Sequence, residues 1–483
     1  MMDSRLTTTL GIWRLLISAV VALSLVVTLG ATSASAASPT ACRVRNTDSG
    51  KTYPALQAAV DAASRGDRLA AKGVCHGGTV IDKDLAIEGI RTSTPRAVLD
   101  GDGKTRVLLI EAGIRVKVRS LVIRDGSAHV PRWVMGRRPR CDGGLSCGRM
   151  GGGIQNRGSL ILQDVVVRGN VAGYSGGGIQ NGGSLVLKGT TEITKNVVRT
   201  DSGAGGGIAT VRGRVTLTDD SRVSRNRSPG GGGGIDSYDS IVTLDDNSSV
   251  TRNRALNGNG GGISSVASVV TLNDDSSISG NTAGYGGGVW SDHTMILNDT
   301  SKIDDNTSTH GGGVAVFPRL GSLDPTPSTL TLNDDSRISG NSARGWGGGV
   351  DIISRGNPFG ESGGIVTLND RSSISGNEGH VFGGGVRNNG DLILNGESSI
   401  SGNRVLRGRG PYGWGYTPNG VGGGVSGKVV LNDSSVVTGN VAEAGGGGVY
   451  SIPYLFVCAP TEGANVYGNS PDDCLSPPSA AGR

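Results

Sequence analysis

Residues 260–281 read GGGISSVASVVTLNDDSSISGN, and the same sentence is spelled again and again along the chain. Three glycines followed by Ile or Val recur eleven times, from Ile154 and Ile179 through Ile263, Val289, Val314 and Val350 to Val425 and Val449. Between them L-x5-[IV]-x2-N recurs nine times, as in Leu244, Val250 and Asn253 or Leu272, Ile278 and Asn281. The period is 24–29 residues, stretched to 36–39 where loops are inserted. A fixed period of this length marks a solenoid.

One unit explains itself physically. "VVTL" and "SSIS" are short strands of β-branched and alternating character. "NDDS" between them is turn chemistry, with Asn and Asp bonding local backbone amides. The residue after the glycines opens a third strand, and glycine permits the positive φ of a tight corner. Three short strands and three corners cannot bury a core alone. Stacked at about 4.8 Å per rung, each strand pairs in parallel with its counterparts. The Ile, Val and Leu positions then form aliphatic ladders inside. The repeated Asn, from Asn196 to Asn440, forms a buried hydrogen-bonded ladder. The expected fold is all-β, a single-stranded right-handed parallel β-helix of about thirteen coils, roughly 60 Å long. A propeller or sandwich would need antiparallel hairpins and longer units.

The ends are read separately. Residues 1–36 carry Arg5 and Arg14, an apolar run over 15–30 and small residues ending at Ala36, the pattern of a secretory signal peptide. Residues 37–77 form an N-terminal cap, in which "YPALQAAVDAASRGD" sets Leu56, Ala59, Val60 and Ala63 on one helical face. The β-helix is expected over 78–455, and 456–483 is a disulfide-closed cap and tail. Six cysteines in an exported chain imply disulfides. Proximity favours Cys42–Cys75, Cys141–Cys147 and Cys458–Cys474. No later segment is apolar enough to span a membrane. The mature protein is expected to be secreted and monomeric.

The opening stretch "YPALQAAVDAASRGDRLAAKGVCHGGTVI" resembles that of secreted bacterial β-helix proteins of the pectin-lyase-like superfamily. The repeats are similar to those of polymorphic outer-membrane proteins, where G-G-A-[ILV] alternates with F-x-x-N. Here the two elements read GGG[IV] and [IV]-x-x-N, over about residues 50–470. The resemblance implies the fold; it does not imply an activity, because such folds host lyases, hydrolases and adhesins.

Chemistry is sparse. Val289-Trp290-Ser291-Asp292-His293 looks like the V-W-x-D-H element of pectate lyases, which makes Asp292 and His293 the candidate catalytic residues. The repeat supplies the GGGV part, however, and Arg137-Arg138-Pro139-Arg140 breaks the accompanying arginine pattern at Asp142. The pairs Asp219-Asp220, Asp245-Asp246, Asp274-Asp275 and Asp334-Asp335 recur in one turn, so they read as a structural stripe. No cofactor is expected; Ca²⁺ is the one ion such a stripe could gather. Net charge is +5, and the basic residues look dispersed along the chain, which argues against a nucleic-acid partner.

Aromatics make up only 4 % of residues, so their placement is informative. The residue before the glycines is Tyr285, His310, Trp346 and Phe382 in four consecutive coils, and the insertion over 404–419 holds Tyr412, Trp414 and Tyr416. Rings in register beside Arg404, Arg407 and Arg409 suit a polysaccharide or cell-surface glycan. The expectation is a non-catalytic, adhesin-like glycan binder. The competing reading is a lyase or hydrolase acting on an acidic polysaccharide.

Overall fold

The computed structural model describes residues 41–90, 96–128, 149–318, 326–354, 363–408, 420–450 and 465–475. Among them, one repeat runs through four short strands. Ile235–Tyr238 follows the glycine corner, Ile241–Leu244 carries the leucine, Ser249–Thr251 the serine, and Arg254–Ala255 the residues after Asn253. Each pairs in parallel, in register, with its counterpart one repeat on, as in Ile235 with Ile263, Val242 with Val270 and Val250 with Ile278. The strands therefore build a corner sheet, a Leu sheet and a Ser sheet of 14, 15 and 14 strands, and a short sheet in two blocks of five. This is a parallel β-helix. Fourteen rungs at about 4.8 Å give a length of roughly 60 Å.

The short sheet departs from the expected three strands per coil. Many of its strands are two residues long, such as Val171–Ala172 and Arg254–Ala255, too short to show an alternation. The inward positions carry the core. Ile263, Val270, Leu272 and Ile278 are 0 % exposed in one coil, and the same holds for Val289, Leu297 and Ile303 in the next. At the glycine corner the backbones of adjacent coils nearly touch: a Cβ on Gly287 would lie 2.4 Å from the Gly312 carbonyl oxygen. Only glycine fits there.

Three ladders of side chains run along the rod, over different numbers of coils. The first is the buried asparagine ladder. It runs from Asn170 to Asn469, and from Asn196 onward each residue's Oδ1 accepts from both the backbone N–H and the Nδ2 of its predecessor, at 2.8–3.1 Å. Asn170 and Asn469 extend it beyond the nine repeats first read. The second runs through Asp245, Asn273, Asn298, Asn333, Asn369, Asn395 and Asn432, with amide bonds of 2.7–2.8 Å. The third is the acidic stripe. Asp219, Asp246, Asp274, Asp299, Asp334 and Asp370 all have φ near +55°. Their carboxylates accept the backbone N–H of the preceding coil at 2.7–3.2 Å. The bonded amide belongs to the neighbouring coil rather than to the local turn, because the left-handed residue aims its side chain along the axis.

The N-terminal end is closed by the helix Leu56–Ala62, with Leu56, Ala59 and Val60 buried, and by the disulfide Cys42–Cys75. Ala63 already lies in extended backbone as the C-cap. Arg43–Asn46 pairs antiparallel with Arg68–Lys72, which itself starts the parallel Leu sheet, so stacking begins ahead of residue 78. At the other end Asn465–Tyr467 and Cys474–Leu475 continue the Ser and corner sheets. Residues expected to be a loop-like cap thus supply one more partial coil. Cys474 is disulfide-bonded; Cys141, Cys147 and Cys458 lie outside the described residues. No described helix is long and apolar enough to cross a membrane.

Candidate functional site

Two columns of residues face each other on the outside of the rod. One is the residue before each glycine corner. The other is the second residue of each corner strand, which points away from the core because its neighbour points in. In the coil of Ile179 the pairing is polar: Ser175 Oγ donates to Gln180 Oε1 at 2.6 Å. In the coils of Val289 to Val386 it is aromatic and ionic.

The first column there is Tyr285, His310, Trp346 and Phe382, linked rung to rung by backbone bridges. Tyr285 and His310 stack with ring centres 4.6 Å apart and planes 9° from parallel. Trp346 meets His310 edge-on at 4.5 Å. Phe317 closes the cluster, edge-on to Tyr285 at 5.7 Å and tilted against Trp290 at 5.3 Å. Tyr285, Trp346 and Phe382 are part-exposed, whereas His310 is 1 % exposed. The sequence therefore predicts the register, but His310 is a buried spacer between rings and offers no face to a ligand.

The second column is Trp290, Ala315, Asp351 and Arg387. Asp351 is 0 % exposed although it points outward, since the rings lean over it. Its Oδ1 accepts from the Arg387 guanidinium at 3.0 Å, and His310 Nδ1 lies 3.7 Å from Oδ2. The Arg387 guanidinium also lies 4.3 Å above the Trp346 ring, a cation–π contact. Burial pushes the Asp351 carboxyl up to about 6, against the pull of Arg387's charge and hydrogen bond. Burial, with the Arg387 charge adding to it, pushes His310 down to about 4. Asp351 and Arg387 escaped the sequence reading. The signal was present in the spacing, because both occupy the second position after their triple glycines, as Trp290 does.

The lyase-like fragment lies elsewhere. Asp292 is 3 % exposed and its Oδ1 accepts the Ala267 N–H at 2.7 Å, a bond that holds the neighbouring turn. His293 lines a groove of about 590 Å³ with Arg212, Arg214, Asp239, Ser184 and Ser240, on the corner between the corner and Leu sheets. Arg212 there is 3.5 Å from Asp239. Arg214 stands three coils from His293, or about 14 Å. Among the described residues, Asp292 and His293 thus do not converge with an arginine on one reacting centre. Among the described residues one group has metal-ligand spacing, His76, Asp100 and Asp102, with ligand atoms within 4.8 Å. Those atoms are already engaged: His76 faces Asp102 at 2.7 Å and Asp100 takes the Arg124 guanidinium at 2.8 Å. Tyr412, Trp414 and Tyr416, with the arginines of 132–140, lie outside the described residues.

The fold and this edge define a parallel β-helix with an aromatic corner fixed by a buried His and Asp and a part-exposed Arg. Comparison with family models, curated proteins and solved structures finds no match for the chain.

Proposed function

We propose that the chain is an exported or cell-surface, non-catalytic β-helix protein that holds glycan chains along its aromatic corner. The observation that carries this reading is the edge itself. Tyr285, Trp346 and Phe382 are part-exposed in register; His310 packs against the rings of Tyr285 and Trp346, and Arg387 against that of Trp346. Rings fixed at a repeat set by the backbone lose little entropy on binding and present apolar faces to the C–H faces of sugars. The leader-like residues 1–36 and the resemblance to secreted pectin-lyase-like and polymorphic outer-membrane repeats agree with a surface role. No cofactor enters this reading.

The competing reading is a polysaccharide lyase or hydrolase. One observation favours it: a carboxyl pushed up to about 6, Asp351, beside the rings, as a general acid requires. Against it, Asp351 is 0 % exposed and bound to Arg387, out of reach of a substrate.

Retention on insoluble polysaccharides tests the proposal, comparing wild type with Trp346→Ala/Phe382→Ala. Stacked faces contribute on the order of 1 kcal/mol each, so the double variant should lose about ten-fold or more in retention with its strand content intact. Equal retention would remove the aromatic corner from the account. Release of new reducing ends or unsaturated uronates from the same panel would instead support the enzyme.

A further inference from the structure

The tripeptide Arg-Asn-Arg occurs in two successive coils, as Arg225-Asn226-Arg227 and Arg252-Asn253-Arg254. In each the Asn is a rung of the buried ladder, so both arginines are thrown outward at the corner between the Ser and short sheets. Lys195 occupies the first of these positions one coil earlier. Arg227 and Arg254 are direct partners in the short sheet, and Arg222 lies beside them on the Ser sheet. Six exposed cations thus occupy three consecutive coils, five of them in two columns with a rung spacing of about 4.8 Å and Arg222 beside these. The basic residues are not dispersed after all; the repeat gathers them.

Among the described residues no carboxylate is ion-paired with them, although Glu192 is the in-register neighbour of Arg222. Arg222 donates to the Ser249 hydroxyl at 3.2 Å, and none of the six forms an ion pair. The one carboxylate on the Ser-sheet and short-sheet strands of these coils is Glu192, whose Oε1 accepts from Ser224 at 2.8 Å. Like charges stacked at this spacing repel, and the backbone adds a second cost. Lys195, Arg225 and Arg252 all sit at positive φ, 56°, 53° and 55°. Other coils mostly use glycine at the same corner, as at Gly169, Gly280, Gly340, Gly376, Gly402 and Gly439. Side chains are strained in this conformation and glycine is not. Strain and repulsion kept together in three adjacent rungs point to a function.

We propose that this corner is a binding site for a linear anionic polysaccharide, its carboxylate or sulfate groups gripped by the two basic columns. Five of the six cations are arginines, whose planar forks match oxyanions bidentately. Thr251 beside them is part-exposed and offers a hydroxyl to a sugar chain. The Ser-sheet and short-sheet strands of these rungs contain no aromatic side chain on which a nucleobase would stack, which favours a sugar chain over single-stranded nucleic acid. The site stands on its own residues, apart from the aromatic corner.

The repeat supplies its own control. In Lys195→Gly/Arg225→Gly/Arg252→Gly each residue becomes what most other coils carry there, so the fold should survive with an unchanged or higher melting temperature. Binding is measured to polygalacturonate for carboxylate, dextran sulfate for sulfate, neutral dextran and duplex DNA, at low and high salt. The expected result is salt-sensitive binding to at least one anionic polysaccharide, weakened at least ten-fold in the triple-glycine variant and unchanged in Trp346→Ala/Phe382→Ala. Neither anionic polysaccharide binding, or equal binding by the triple-glycine variant, overturns the site. Tighter binding to duplex DNA than to both polysaccharides, lost in the variant, overturns the ligand class.

Discussion

Asn281 shows how much one side chain carries in this fold. It is 0 % exposed; its Nδ2 donates to Val250 O at 2.9 Å and Asn306 Oδ1 at 3.0 Å, and its Oδ1 accepts twice from Asn253. Asn281→Ala strands several buried groups at once, at about 1–3 kcal/mol for each left unpaired, so a loss of about 3–5 kcal/mol is expected in denaturant melts. A loss below about 1 kcal/mol would mean that the ladder is hydrated. His310 gives a pH prediction with a definite sign. Unfolded, it takes up a proton below about 6.5; folded, only below about 4. Acidification between those values therefore favours the unfolded chain, by up to about 3 kcal/mol. Asp351 acts oppositely between its ordinary 3.8 and about 6, since the fold holds its proton more tightly. His310→Phe should thus lose less stability than wild type between pH 7 and pH 4, by chemical melts. An equal or greater loss would show that His310 is hydrated in the fold. The asparagine was legible in sequence because every coil repeats it. The burial of His310 was not, because it depends on two rings from other coils.

At the scale of elements, each coil pairs only with its neighbours. Removing Ile263–Gly288 joins Gly262 to Val289 and preserves every ladder, so the shortened chain should fold and melt within about 5 °C of the parent. Aggregation, or loss of a cooperative transition, would show that this coil has contacts its neighbours cannot replace. The three long sheets were readable from Leu, Ile and Asn positions at fixed spacing. The short sheet was not, because strands such as Arg254–Ala255 are two residues long. Asn170 escaped because Leu162 and Val167 are one residue closer than the repeat requires, and Asn469 because Val466 follows loop-like sequence. The turn aspartates were recognised as structural, but their bonds along the axis follow from a positive φ that no residue type announces.

At the scale of the whole molecule, both candidate binding sites lie on outer corners of the rod. The aromatic register was visible in the sequence because backbone pairing fixes it. Asp351 and Arg387 were not, since their burial comes from rings that fold over an outward-facing column. The chain's aromatic and basic corners lie on successive stretches of the same solenoid, each built by varying one position of the repeat. The most direct test of the account is affinity electrophoresis in gels containing neutral soluble glycans, which the basic corner does not grip, wild type beside Trp346→Ala/Phe382→Ala. Retardation of the wild type by at least one glycan, reduced about ten-fold in the folded double variant, is the predicted result. Equal retardation of both proteins, or none of the wild type by any glycan, would contradict it.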